Sequence, residues 1–70
     1  MLSVILNKNE EENVRLWFPW VYNNEIYSFD GEIINGEVVK VLSYDKMFVC
    51  YGFLNIESKI MVRVLSLDEN

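Results

Sequence analysis

Apolar residues fall along this chain in short blocks parted by polar turns, and the period inside each block predicts what it becomes. Leu2-Ser3-Val4-Ile5-Leu6 is a compact run rich in branched side chains, which suits a buried strand. From residue 8 to residue 17 the chain turns polar and then amphipathic, and a helix is expected there. Asn9 can cap it, and Glu12 stands three residues on in the capping-box position. Glu10, Glu11 and Glu12 together suit the positive end of a helix dipole. Pro19 stops the helix near Phe18, because the residue before a proline is pushed out of the α region. The chain leaves this corner extended, with Trp20 and Tyr22 on alternate positions.

Beyond Tyr27-Ser28-Phe29 come Asp30-Gly31 and Asn35-Gly36, dipeptides that tolerate positive φ and mark turns. Residues 37–44 (EVVKVLSY) and 47–54 (MFVCYGFL) flank Asp45-Lys46, the layout of a β-hairpin. Both faces of the second strand are apolar, with Met47, Val49, Tyr51 and Phe53 against Phe48, Cys50 and Leu54. It is therefore expected to be central and covered on both sides, as in a closed barrel. Gly52 inside it marks a bulge or bend. Residues 60–67 (IMVRVLSL) form a last strand, with Ile60, Val62 and Val64 on one face and Met61, Arg63 and Leu65 on the other. Arg63, in apolar company, either pairs with an acid on a neighbouring strand or faces a phosphate or another domain. The fold class expected is mainly β with one helix, a small barrel of five to six strands. Residues 1–70 form a single domain, and residues 66–70 are its only linker-like stretch.

Composition narrows the chemistry. With 51% hydrophobic and 14% aromatic residues, three Gly and one Pro, the chain is a packed domain and not a disordered segment. Folding at this length buries about 60% of the unfolded surface and leaves about 3–5 kcal/mol of stability, so a deep catalytic cleft is not expected. No window reaches the ~18 apolar residues of a membrane span, and the N-terminus lacks a basic leader, so a cytoplasmic location with no membrane partner is expected. The absence of His and the single Cys50 exclude zinc sites and histidine-based triads, and no metal ligands are expected. Cys50 lies in an apolar run and is expected to be a buried small hydrophobe. The glycines at 31, 36 and 52 are too far apart for a phosphate-cradling loop. No catalytic residue is assigned, and the chain has the character of a binding module.

Net charge is −5, which argues against nucleic acid as a partner. The distribution changes that picture: of eleven acids, Glu10, Glu11, Glu12, Asp68 and Glu69 lie in two short runs, and the remaining six face six Lys and Arg. The Phe18-Pro19-Trp20-Val21-Tyr22 corner has two uses open to it. Its aromatics can close the end of a small barrel, or Trp17 or Tyr22 can offer a stacking platform for an RNA base.

The order of these pieces resembles the N-terminal PUA domain of the RlmI-like family, bacterial class I S-adenosylmethionine-dependent methyltransferases of the large-subunit rRNA cytosine-C5 type. That family has, after a helix, an "HPWV" corner and an "EI", for which this chain has Phe18-Pro19-Trp20-Val21 and Glu25-Ile26. Its "GDLVDV" strand is matched by Gly36-Glu37-Val38-Val39-Lys40-Val41. Its "GxYN", following serine and "I-x-V-R" strand are matched by Gly52-Phe53-Leu54-Asn55, Ser58 and Ile60-Met61-Val62-Arg63. Three positions depart from the pattern: Phe18 replaces a histidine, Ile56 replaces a proline, and Glu10 to Glu12 stand where the helix is often basic. The departures leave the fold alone and set the helix against RNA.

The resemblance implies an accessory RNA-binding domain that positions structured RNA, in particular rRNA, for a methyltransferase domain downstream in cis. S-adenosylmethionine would belong to that downstream domain, and no cofactor is expected in this chain. The candidate RNA-binding residues are Lys8, Arg15, Trp17, Tyr22, Lys59 and Arg63. The alternative is a small SH3-like barrel for protein contacts or homodimerisation, favoured by the net charge and the aromatics. A basic strip joining Lys8, Arg15, Lys59 and Arg63 would favour the first, and a contiguous apolar patch the second.

Overall fold

The computed structural model describes residues 1–16 and 18–70. In chain order the elements are β1 (Ser3–Leu6), α1 (Glu11–Leu16), β2 (Trp20–Tyr22), a 3₁₀ turn (Asn23–Glu25), β3 (Ile26–Asp30), β4 (Val38–Leu42), β5 (Phe48–Leu54) and β6 (Ile60–Ser66). The strands form one sheet in the order β2-β6-β5-β4-β1-β3, in which β1 and β4 are parallel and the other neighbours antiparallel. This is the expected mainly β architecture with one helix.

One connection dictates its curl. β2 and β3 are the two edges of the sheet, yet only Asn23–Glu25 separates them. In a flat six-stranded sheet the edges would lie about 24 Å apart, five spacings of about 4.8 Å. Three residues reach only about 10 Å. The sheet therefore rolls into a half-barrel, and a single path serves both edges, its first half paired with β6 and its second with β1. Backbone hydrogen bonds stitch this seam, from Asn7 N to the Glu25 carbonyl at 2.9 Å and from Asn23 N to the Lys59 carbonyl at 2.8 Å. The Glu25 carboxylate accepts a 2.7 Å hydrogen bond from Tyr22 N and holds the turn in shape.

The inner face of the roll is the core. Val4, Leu6, Val21, Val39, Val41, Cys50, Leu54 and Val62 are fully buried there, and Val14 of α1 packs onto the same cluster. Alternation along the strands accounts for this set: Val4 and Leu6, Val39 and Val41, and Val62 point inward while their neighbours point out. At the corner the buried residue is Val21, between half-buried Trp20 and exposed Tyr22.

Two expectations need correcting. Asn9 is not positioned as the helix cap: it sits in a tight turn with φ at +72°, and the helix begins only at Glu11. Asn tolerates this left-handed conformation, and the chain must reverse between the end of β1 and a helix that presents Val14 to the core. The pairing of a backbone N–H with a Glu three residues on occurs instead at Tyr22 and Glu25. The helix does end before Pro19, closed by a 3.0 Å bond from Phe18 N to the Asn13 carbonyl, and the Pro19 carbonyl accepts from Val64 N at 2.6 Å. The second correction concerns β5, which is central as expected but covered on its second face only in part. Val49 is buried and Tyr51 half-buried on that face, whereas Phe53 at its far end is 44% exposed. The C-terminal residues also fold back, with the Tyr51 hydroxyl donating to the Glu69 carbonyl at 3.2 Å and Lys40 Nζ 3.8 Å from the Glu69 carboxylate.

Cys50 is wholly enclosed, and burial pushes its thiol up to about 12. It should therefore resist thiol reagents at neutral pH and react only through unfolding, so that its labelling rate follows the denaturant-induced loss of structure. Rapid labelling of the folded protein would show that β5 opens locally. The sign for stability follows from linkage: the folded thiol keeps its proton while the unfolded one loses it, so the protein loses stability as pH rises from about 9 towards 12.

Candidate nucleic-acid interface

The candidate cations fall into two groups. Lys8, in the turn after β1, places its Nζ 5.1 Å from the centroid of the Tyr44 ring. Arg15, in the last turn of α1, donates from Nη2 to the Phe48 carbonyl at 3.4 Å. Both therefore lie against the hairpin that joins β4 to β5. Lys59 and Arg63 belong to the other edge, before and within β6, where Tyr22 pairs with Ile60 and Arg63 pairs with both Trp20 and Phe53. Tyr22 is 42% exposed, whereas the Trp20 indole N–H is enclosed without an acceptor among the described residues. Trp17, the other stacking candidate, lies outside the described residues.

Arg15 also borders a shallow cleft with Pro19 and Val64, so α1 lies beside β6 as well as beside the hairpin. Contacts from Lys59 to Lys8 run through the seam, by way of Asn23, Glu25 and Asn7. Acids collect at this point: burial, and then the charges of Glu25 and Glu11, raise the Glu10 carboxyl above its ordinary range. A polyanion crossing from one group to the other meets repulsion there. Arg63 does not have the acid partner on a neighbouring strand that was one of its options; among the described residues the ion pair within 4 Å is Lys40 with Glu69. Its neighbours in register are aromatic, so Val38, Phe53, Arg63 and Trp20 form a row across four strands on the outer face.

A third cluster escaped the sequence analysis. Tyr27 and Tyr44 meet edge to face with ring centroids 5.0 Å apart, and with Lys46 they border a cleft of about 470 Å³ floored by Ile5. Tyr27 follows the seam turn and Tyr44 begins the β4–β5 hairpin loop, 17 positions later. The hairpin is closed by Ser43 N to the Met47 carbonyl at 2.8 Å and by the Ser43 hydroxyl, which accepts from Met47 N at 3.1 Å. Lys46 takes the left-handed position in that loop, with φ at +67°.

Among the described residues, a curled half-barrel of six strands with one short helix defines a small, mainly β domain. The chain belongs to the PUA-like domain family, which it matches over residues 4–67. It is similar to proteins named Ribosomal RNA large subunit methyltransferase I: 28% identical over 67 residues to that of Vibrio parahaemolyticus and 26% over 68 residues to that of Shewanella amazonensis. These alignments cover 96% and 97% of this chain, which spans 17% of the length of either relative. No described helix is long and apolar enough to cross a membrane.

Proposed function

We propose that this domain is an RNA-binding accessory unit of an S-adenosylmethionine-dependent rRNA cytosine-C5 methyltransferase, holding structured RNA while a methyltransferase domain in the same polypeptide carries out the transfer. The observation that carries this reading is the PUA-like match over residues 4–67, in a chain whose relatives are named as rRNA methyltransferases. S-adenosylmethionine belongs to the transferring domain, and these 70 residues supply RNA contacts alone. Lys8 and Arg15 on one side, and Lys59 and Arg63 on the other, meet phosphates, which fixes the orientation of the RNA without reading its sequence. Tyr22 offers an exposed ring for a base.

Because the cations are few and acids collect beside Glu10, binding is weak and only moderately salt-dependent. Three to five displaced counterions give a slope of about −2 to −4 in log K against log salt. Fluorescence anisotropy with an rRNA hairpin at several salt concentrations tests this. Arg15→Ala and Arg63→Ala should each weaken binding to all RNAs alike and flatten the slope by about one unit. No binding at low salt would overturn the proposal.

The row Val38, Phe53, Arg63 and Trp20 favours a second reading, a protein contact or homodimer through the outer face, since Val38 and Phe53 are both more than 40% exposed. Sedimentation decides it: a dimer abolished by Phe53→Asp, together with absent RNA binding, would establish this reading in place of the first.

A further inference from the structure

The cleft between β1, β3 and the β4–β5 hairpin is built differently from the rest of the surface. Ile5 is only 4% exposed, yet it is not part of the inner core cluster. It lies on the outer face of β1, in register with Ser28 on β3 and Leu42 on β4. Ile5 and Ser28 therefore form a floor, apolar with one hydroxyl. Tyr27 and Tyr44 stand beside it. Tyr44 has its edge contact with Tyr27 and a cation near its ring, Lys8 Nζ at 5.1 Å. Tyr27 is 60% exposed, so a face of its ring is open to solvent. Lys46 and Asp30 complete the border.

We propose that this cleft holds one unstacked nucleobase of single-stranded RNA. This deepens the RNA-binding function proposed above and rests on it. A nucleobase is apolar on its faces and polar at its edges, which is how the cleft is arranged. The base stacks on the open face of Tyr27 over Ile5, and its edge meets the Ser28 hydroxyl and the Asp30 carboxylate. Lys8 and Lys46 lie on either side of Tyr44, near enough to the cleft to meet the phosphates flanking the base. Asp30, Asp45 and Glu11 nearby offset much of those two charges, so most of the affinity of this subsite comes from stacking, and the phosphate contact of Lys46 adds a smaller, salt-dependent part.

The test uses the full 70-residue chain, with ¹H–¹⁵N chemical shifts and anisotropy followed during titration with single-stranded hexaribonucleotides at low and moderate salt. Shifts should concentrate at residues 5, 27, 28, 44 and 46. Tyr27→Ala should lose about five- to hundredfold in affinity with the salt slope unchanged, and Tyr27→Phe should keep it. Lys46→Ala should flatten the slope by about one unit while the stack remains. Tyr27 is largely exposed, so thermal melts of its variants should match wild type and confirm that the fold is intact. Wild-type RNA binding with unaltered affinity in Tyr27→Ala overturns the subsite and leaves the RNA-binding function standing. Absence of binding to either hexamers or the rRNA hairpin overturns both. Shifts at the cleft produced by an arginine-rich peptide and not by RNA overturn the subsite in favour of a basic protein partner.

Discussion

Gly52→Ala is expected to remove most of the protein's stability. Gly52 lies in β5 opposite Val64, at a point where the β5–β6 register slips between Tyr51 and Gly52. A Cβ added there would overlap Val62 Cγ1 and stand 2.9 Å from the Arg63 carbonyl oxygen. The valine is fully buried in the core and the carbonyl is backbone, so neither yields as the tip of a flexible side chain would. Overpacking of this kind costs about 1–3 kcal/mol when side chains alone adjust. Here β6 must also shift, and the whole domain has only about 3–5 kcal/mol to lose. The melting temperature should fall by about 10–20 °C, by circular dichroism. A change of no more than a couple of degrees would show that β6 gives way easily and that the close approach is not a constraint.

Leu54→Ala should have an effect of similar size for the opposite reason. Leu54 is completely buried, and its backbone is held to the segment leading into β4, with its N–H donating to the Glu37 carbonyl at 3.0 Å and its carbonyl accepting from Gly36 N at 2.9 Å, while Val62 of β6 pairs with it on the other side. The strand cannot move inward to fill the space, so the lost side chain leaves a cavity costing about 2–5 kcal/mol. Phe53→Ala, one residue earlier on the outer face, is the control. Its ring is 44% exposed, and the loss should be about 1 kcal/mol. Urea titrations should show a large drop in midpoint for Leu54→Ala at constant m, and a small one for Phe53→Ala. Equal effects would mean that the outer row is covered in solution, as the protein-contact reading requires.

These contrasts show what kind of information the chain carries in its order. Val39, Val41 and Val62 could be assigned to a core from alternation alone, since the period of a strand is local and one buried face is enough to reveal it. Pro19 ends its helix for a reason contained in the residue itself, and Gly52 marked the irregularity in β5, where the pairing with β6 slips between Tyr51 and Gly52. Asn9 misled because a capping residue and a left-handed turn residue are the same residue type, and the choice between them depends on where β1 sends the chain. The two faces of β5 look equally apolar in sequence, and only the partial cover of its second face separates Phe53 from Leu54.

The candidate site was legible one residue at a time but not as an arrangement. Four cations and the exposed ring of Tyr22 could be named, yet the seam brings Glu10 and Glu25 together from segments 15 positions apart. Tyr27 and Tyr44 gave no signal at all, because nothing local distinguishes a strand tyrosine that joins an outer cleft from one that does not.

The sequence by itself determined the class of this domain: short strands with an apolar face and a helix stopped by a proline. Tertiary structure decided the parallel pairing of β1 with β4, the rolling of the sheet and the clustering of charge. The physical reason is that periodicity is a property of neighbours along the chain, whereas these features follow from closure. Three residues between the two edge strands force the sheet to curl, and the curl chooses which distant side chains meet.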